Sequence, residues 1–176
     1  MTATRAVAYT RRTMTSSLRI RFSVLLGIAI LVVGYVQFAQ HVQGYEPCEL
    51  CLRERLPWYA IIAVAAGGVW RPWRPLLFAV ALSLLVSAGL ALHHVGVEQK
   101  WWRGPEACTA DFKPQTIEEL RAMLKASPVT RCDEIVWRFL GLSMTSWNFL
   151  LSIALLATLV GAELIGRSAG RPHHSN

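Results

Sequence analysis

Cys48 and Cys51 stand two residues apart, while Cys108 and Cys132 lie far from them and 24 positions from each other. Four thiols in this arrangement could ligate a metal, staple the chain or relay electrons by thiol–disulfide exchange. Zinc is the poorest fit, because such a site wants four ligands at compact spacing and only one CxxC is present; no metal site is expected. Two inert disulfides suit an oxidising compartment. Yet closing a ring as small as a CxxC removes little chain entropy, so the motif is a weak staple. Exchange suits it better, since one thiolate can attack and be resolved by its neighbour. Cys48, Cys51, Cys108 and Cys132 are therefore the candidate catalytic residues. Arg55 follows Cys51 by four residues, one helical turn on. At the start of a helix, Cys51 would have its thiolate favoured by backbone N–H groups, and Arg55 could pair with that thiolate or hydrogen-bond a carbonyl oxygen of a ligand. The plainer reading of Arg55 is a guanidinium snorkelling to a membrane surface.

The elements that must position these residues are apolar. The 176 residues are 53% hydrophobic and 16% charged, with mean hydropathy +0.36, well short of the roughly 25% charge usual in soluble domains. Uncharged blocks run from Phe22 to Ala39, Leu56 to Trp70, Leu76 to Leu92 and Phe139 to Ala162. A bilayer-crossing helix needs about 20 such residues. The second block reaches that length only by borrowing Leu52 to Arg55. We expect an all-α membrane protein, one domain over 1–176, built as a four-helix transmembrane bundle. Its spans cover about 22–42, 52–70, 75–95 and 139–162, and its outer loops about 43–51 and 96–138. The first block exceeds a signal-peptide core and runs into Gln40, His41 and Val42, so an uncleaved span is expected.

Basic residues number nine on each side of this topology. Those of one side crowd into short flanks, with five Arg ahead of the first span, which places both termini in the cytoplasm and both cysteine loops outside. The net charge of +7 is then largely a flank signal suited to anionic lipid. It implies no nucleic-acid partner.

Pro72 and Pro75 tighten the link between spans two and three. Trp58, Trp70, Trp73, Trp101, Trp102 and Trp137 fall near span ends, as an aromatic belt would. In the long outer loop, Thr116 and Glu119 form a capping box, and Ile117, Leu120, Met123 and Leu124 share one face. A short amphipathic surface helix is expected there. Pro57, two residues after Arg55, either kinks span two or starts it at Leu56.

The segment Pro47-Cys48-Glu49-Leu50-Cys51-Leu52-Arg53-Glu54-Arg55 resembles the first outer loop of the DsbB family (disulfide bond formation protein B). So do His94-Val95-Gly96-Val97-Glu98 through Trp102 to Cys108, and Gly141-Leu142-Ser143-Met144 through Trp147-Asn148. The likeness runs from the first span to the fourth and leaves both tails outside it. It is strongest in its order, with the CxxC after span one and the second cysteine pair between spans three and four.

The resemblance implies a multi-pass protein of the bacterial inner membrane, with the cysteine loops periplasmic. Such a protein reoxidises a DsbA-like periplasmic thiol oxidase and passes the electrons through two cysteine pairs to a membrane quinone, ubiquinone favoured over menaquinone. Cys108 would take the mixed disulfide with the partner. Cys132 would then attack the Cys48–Cys51 disulfide at Cys48, leaving Cys51 as a thiolate against the quinone. Arg55 matches the arginine that holds the quinone. His94 is the better match for a histidine beside it, with His93 the alternative.

Two other functions compete. A vitamin K epoxide reductase-like oxidoreductase also carries a CxxC and a loop pair, but there the CxxC comes last. A non-enzymatic membrane protein with two structural disulfides is the reading from a different class.

Overall fold

The computed structural model describes residues 2–105, 116–118, 121 and 131–169, with side chains over 14–105, 116–118, 121 and 131–166. Among these, four helices dominate: α1 (Thr2–His41), α2 (Glu49–Trp70), α3 (Arg74–Glu98) and α4 (Met144–Ala169). A two-stranded hairpin, β1 (Arg138–Phe139) and β2 (Leu142–Ser143), precedes α4. Each helix packs on the next, α1 on α2, α2 on α3 and α3 on α4. The first and last are tied by an ion pair, Arg21 Nη1 to Glu163 Oε1 at 2.6 Å.

The core follows helical spacing. Leu18, Phe22, Leu25 and Ala29 on α1 face Trp58, Ile61 and Ala65 on α2, then Leu77, Val80 and Leu84 on α3. These recur at three and four residues, which places them on one side of each helix. The opposite sides are just as apolar. Leu31 and Phe78, for example, are 73% and 74% exposed, as expected where the surrounding solvent is hydrocarbon. Among the described residues, three stretches are long and apolar enough to cross a membrane: Met14–His41, Arg74–Glu98 and Met144–Gly166. The second helix is not among them. Arg53, Glu54 and Arg55 occupy its first turns, and Leu56 to Trp70 spans only about 22 Å of a hydrocarbon core about 30 Å thick.

Helix α2 begins at Glu49 and continues through Pro57. The proline therefore does not start the helix, and a full turn precedes it. The fourth helix begins at Met144 rather than Phe139, because Leu140 and Gly141 take φ of +50° and +81° and turn the chain between β1 and β2. Both central residues at positive φ make this a type I′ connection, where glycine carries no steric penalty. Trp147 Nε1 donates to the Phe139 carbonyl at 3.1 Å, which pins the hairpin to α4. Trp70, Trp73, Trp101 and Trp102 are exposed, but Trp58 is not a belt residue: it is 3% exposed and part of the core. The surface helix expected from Thr116 falls largely outside the described residues.

Gly68 sets the approach of α2 to α1. A Cβ there would stand 2.5 Å from the Phe22 ring, and Phe22 is fully buried. Gly68→Ala should cost about 1–3 kcal/mol by overpacking, read as a lower thermal midpoint in detergent micelles. Gly67→Ala, with nothing within 4 Å of its Cβ, is the control and should be neutral or slightly stabilising. Equal losses at both positions would show that helix approach is not limiting.

Candidate functional site: a buried thiol beside an apolar cavity

Cys48 is the N-cap of α2, and its sulfur accepts from the Cys51 backbone N–H at 3.3 Å. The helix-terminal position anticipated for Cys51 thus falls on Cys48, and Cys51 sits in the first turn. Both are free thiols, with their sulfurs 2.9 Å apart. Cys48 is buried while Cys51 is partly open. The Cys48 thiol is drawn well below the ordinary range, first by the Cys51 hydrogen bond and then, against the opposing effect of burial, by His94.

Cys132 is 1% exposed and disulfide-bonded. It packs with Cys48, Leu50 and Val97 in a small second core. The sulfurs of Cys48 and Cys132 and a ring nitrogen of His94 all lie within 4.8 Å of one another. With the Cys132 sulfur in a disulfide, that trio offers only two free donors, fewer than the four of a closed zinc site. Arg131 and Asp133, the residues on either side of Cys132, form a two-bonded fork at 3.0 and 2.9 Å, which holds the Asp133 carboxyl below its usual range. Cys108 lies outside the described residues.

His94, rather than His93, reaches the thiols. Its Nε2 is 3.7 Å from Cys48 Sγ, and its Nδ1 is 2.6 Å from Glu54 Oε1. His93 instead stacks on Trp102 at 5.9 Å between ring centroids, with its carbonyl accepting from Trp102 Nε1. Arg55 reaches back to α1: its Nη1 donates to Gln37 Oε1 at 3.0 Å and to Gln40 Oε1 at 2.7 Å. Arg55 Nε is buried and has no partner within the described residues.

These groups border one cavity of about 460 Å³, within the usual range for small-molecule sites of about 300–1,000 Å³. Leu31, Val32 and Val36 of α1 form an apolar wall. Cys48, Cys51, Arg55 and His94 border the same space. An apolar ring with carbonyl oxygens fits this donor set. The walls suit a hydrocarbon, a thiol lies beside it, and the Arg55 Nε–H, without a partner among the described residues, is a donor that a carbonyl oxygen could meet.

Two residues here had been given no role from sequence. Glu54 is 8% exposed and bonds both His94 and Asn148, whose Nδ2 donates to Glu54 Oε2 at 2.7 Å. Glu54 follows Cys51 by three residues and precedes Trp58 by four, so helical spacing alone puts it on the cysteine face. Asn148 accepts from Trp58 Nε1 at 2.9 Å.

Fold and site together define a helical membrane protein with reactive cysteines at one end of its bundle. A family model described as disulfide bond formation protein DsbB matches residues 18–162. Disulfide bond formation protein B of Albidiferax ferrireducens is 33% identical over 167 residues, covering 85% of this chain and 87% of that protein. The protein of the same name from a Polaromonas species is 31% identical over 157 residues, covering 81% and 86%. An uncharacterized protein of Rickettsia prowazekii, RP370, is 29% identical over 141 residues, covering 77% and 82%. The chain belongs to the DsbB family of disulfide bond formation proteins.

Proposed function

We propose that the protein is a dithiol:quinone oxidoreductase of the bacterial inner membrane that reoxidises a DsbA-like periplasmic thiol oxidase. Both termini face the cytoplasm, and α2 makes the second of four crossings with its charged first turns at the outer boundary. The observation that carries this reading is the position of Cys48. Its sulfur stands 2.9 Å from Cys51 and within 4.8 Å of Cys132, on the wall of an apolar cavity.

The partner's dithiol first exchanges with the Cys108–Cys132 disulfide through a mixed disulfide at Cys108, which frees Cys132. The Cys132 thiolate then attacks Cys48 of an oxidised Cys48–Cys51 pair. The Cys132–Cys48 bond forms, the Cys48–Cys51 bond breaks, and Cys51 leaves with the electron pair as a thiolate. The partner's second thiol then closes the partner's own disulfide and frees Cys108, which attacks Cys132, re-forms the Cys108–Cys132 bond and releases Cys48. Arg55 Nε would hold a quinone oxygen, with the apolar α1 wall against the ring. A quinone bound there supplies the electron sink, taking two electrons and two protons as Cys48 and Cys51 close again.

Cys132→Ser tests the order of transfer. Left as a lone thiol, Cys108 should attack the disulfide of an oxidised periplasmic DsbA-like protein and, with no Cys132 to resolve the product, accumulate a mixed disulfide, seen as a reducible adduct on gels. Equal trapping by Cys48→Ser or Cys51→Ser would put the entry point elsewhere.

A further inference from the structure

Glu54 and His94 have no part in the exchange just described, yet they are buried beside its pivotal sulfur, at 8% and 2% exposure. Ionisable groups inside a membrane bundle are costly and rarely idle. Their hydrogen bonds leave little freedom. Glu54 Oε1 meets His94 Nδ1 at 2.6 Å, and Glu54 Oε2 accepts from Asn148 Nδ2 at 2.7 Å. Thr145 Oγ1 lies 3.2 Å from the same Nδ1. With Nδ1 so engaged, Nε2 is the edge turned to Cys48 Sγ, 3.7 Å away.

We propose that His94 is the proton acceptor and donor for Cys48, and that Glu54 is the positioning residue that aims the imidazole at the sulfur and stabilises its protonated form. The inference rests on the reading that Cys48 cycles between thiol and disulfide. When the Cys48–Cys51 bond closes, with the quinone of the proposed reaction taking the two electrons, the Cys48 S–H bond breaks first and its proton goes to His94 Nε2, leaving the electron pair on sulfur. When the Cys108 thiolate attacks Cys132, the Cys108–Cys132 bond forms, the Cys132–Cys48 bond breaks, and Cys48 leaves as a thiolate to which the same N–H donates. No electron moves in either proton step. A carboxylate on the far nitrogen favours the imidazolium in both.

Other charges face this group from each neighbouring element. Cys51 and Arg55 on α2 and Glu98, one turn further along α3, lie around it, Glu98 being coupled to His94 electrostatically. Glu46, Arg131 and Glu134 border the cavity from the loops. From α4 the contact is the neutral Thr145.

The test reads Cys48 itself and needs neither quinone nor partner, so it can fail while quinone turnover stands, and the reverse. In reduced full-length protein, timed iodoacetamide alkylation from about pH 4 to 9, with tandem mass spectrometry to separate Cys48 from Cys51, gives the titration midpoint of Cys48. His94→Gln should raise that midpoint by at least about one unit, a tenfold loss of thiolate on its acid side. Glu54→Gln should move it the same way. The double variant should go no further than His94→Gln alone, because an acid acting through the histidine has nothing left to act on. A purely structural Glu54 would lower thermal stability and leave the midpoint in place. An unmoved midpoint in either single variant, or additive shifts in the double, overturns the proposal. Should the variants not fold, the ¹⁵N shifts of His94 in the reduced wild-type protein decide at about pH 7. Two protonated ring nitrogens support the pairing, and a neutral ring beside a Cys48 thiol contradicts it.

Discussion

Cys51→Ser should reduce steady-state oxidation of the partner dithiol by at least about 10⁴-fold, because in the proposed reaction Cys51 hands on the electrons and no neighbour replaces it. The loss belongs to chemistry, not to assembly. Cys51 is only partly buried and is a free thiol, and serine keeps its shape and leaves α2 intact from Glu49. Thermal stability should therefore change little. The variant should still exchange thiols with the partner at the outer cysteine pair, consume about one equivalent of dithiol and then stop. This pattern separates an enzyme from a membrane protein with inert disulfides, in which Cys51→Ser would affect stability alone. Turnover within a few-fold of wild type would remove Cys51 from the path.

Arg55→Ala should raise the KM for quinone about 10-fold to 150-fold, while exchange with the partner stays near wild type. The range follows from a hydrogen bond to a charged group, about 1.5–3 kcal/mol. The guanidinium is fixed before any ligand arrives, with Nη1 held by Gln37 and Gln40 of α1. It is therefore Nε, buried and without a partner among the described residues, that is left for an acceptor. Lysine should rescue only partly, since an ammonium cannot bond both glutamines and the ligand with the same planar fork. An unchanged KM in Arg55→Ala would mean that Nε faces a void rather than a ligand.

The parts of this fold legible in the sequence are those set by local rules. Charge-free blocks give the helices, and Pro72 and Pro75 the tight link, all from neighbours close in sequence. Helix ends were less legible. Phe139 to Gly141 read as helix because they are uncharged, whereas positive φ at Leu140 and Gly141 turns the chain, and hydropathy carries no dihedral information. The least legible part was the polar cluster. Glu54 stands between two arginines in the sequence, and nothing local marks it for burial. Its burial follows from His94, forty residues on, and Asn148, ninety-four residues on, so only the packing of α2 against α3 and α4 reveals it. Trp58 misled for the same reason: a tryptophan near a span end reads as a belt residue until Asn148 is seen to accept its N–H.

The most direct measurement is a single turnover without oxygen. Purified protein with Cys48 and Cys51 reduced is mixed with excess ubiquinone analogue, and hydroquinone formation is followed in the ultraviolet while mass spectrometry scores the thiols. About one hydroquinone per protein should appear, at the rate at which the Cys48–Cys51 disulfide forms and with the cysteine pair at Cys132 already closed. Oxidised quinone persisting beside free Cys48 and Cys51 thiols would contradict electron transfer through this pair.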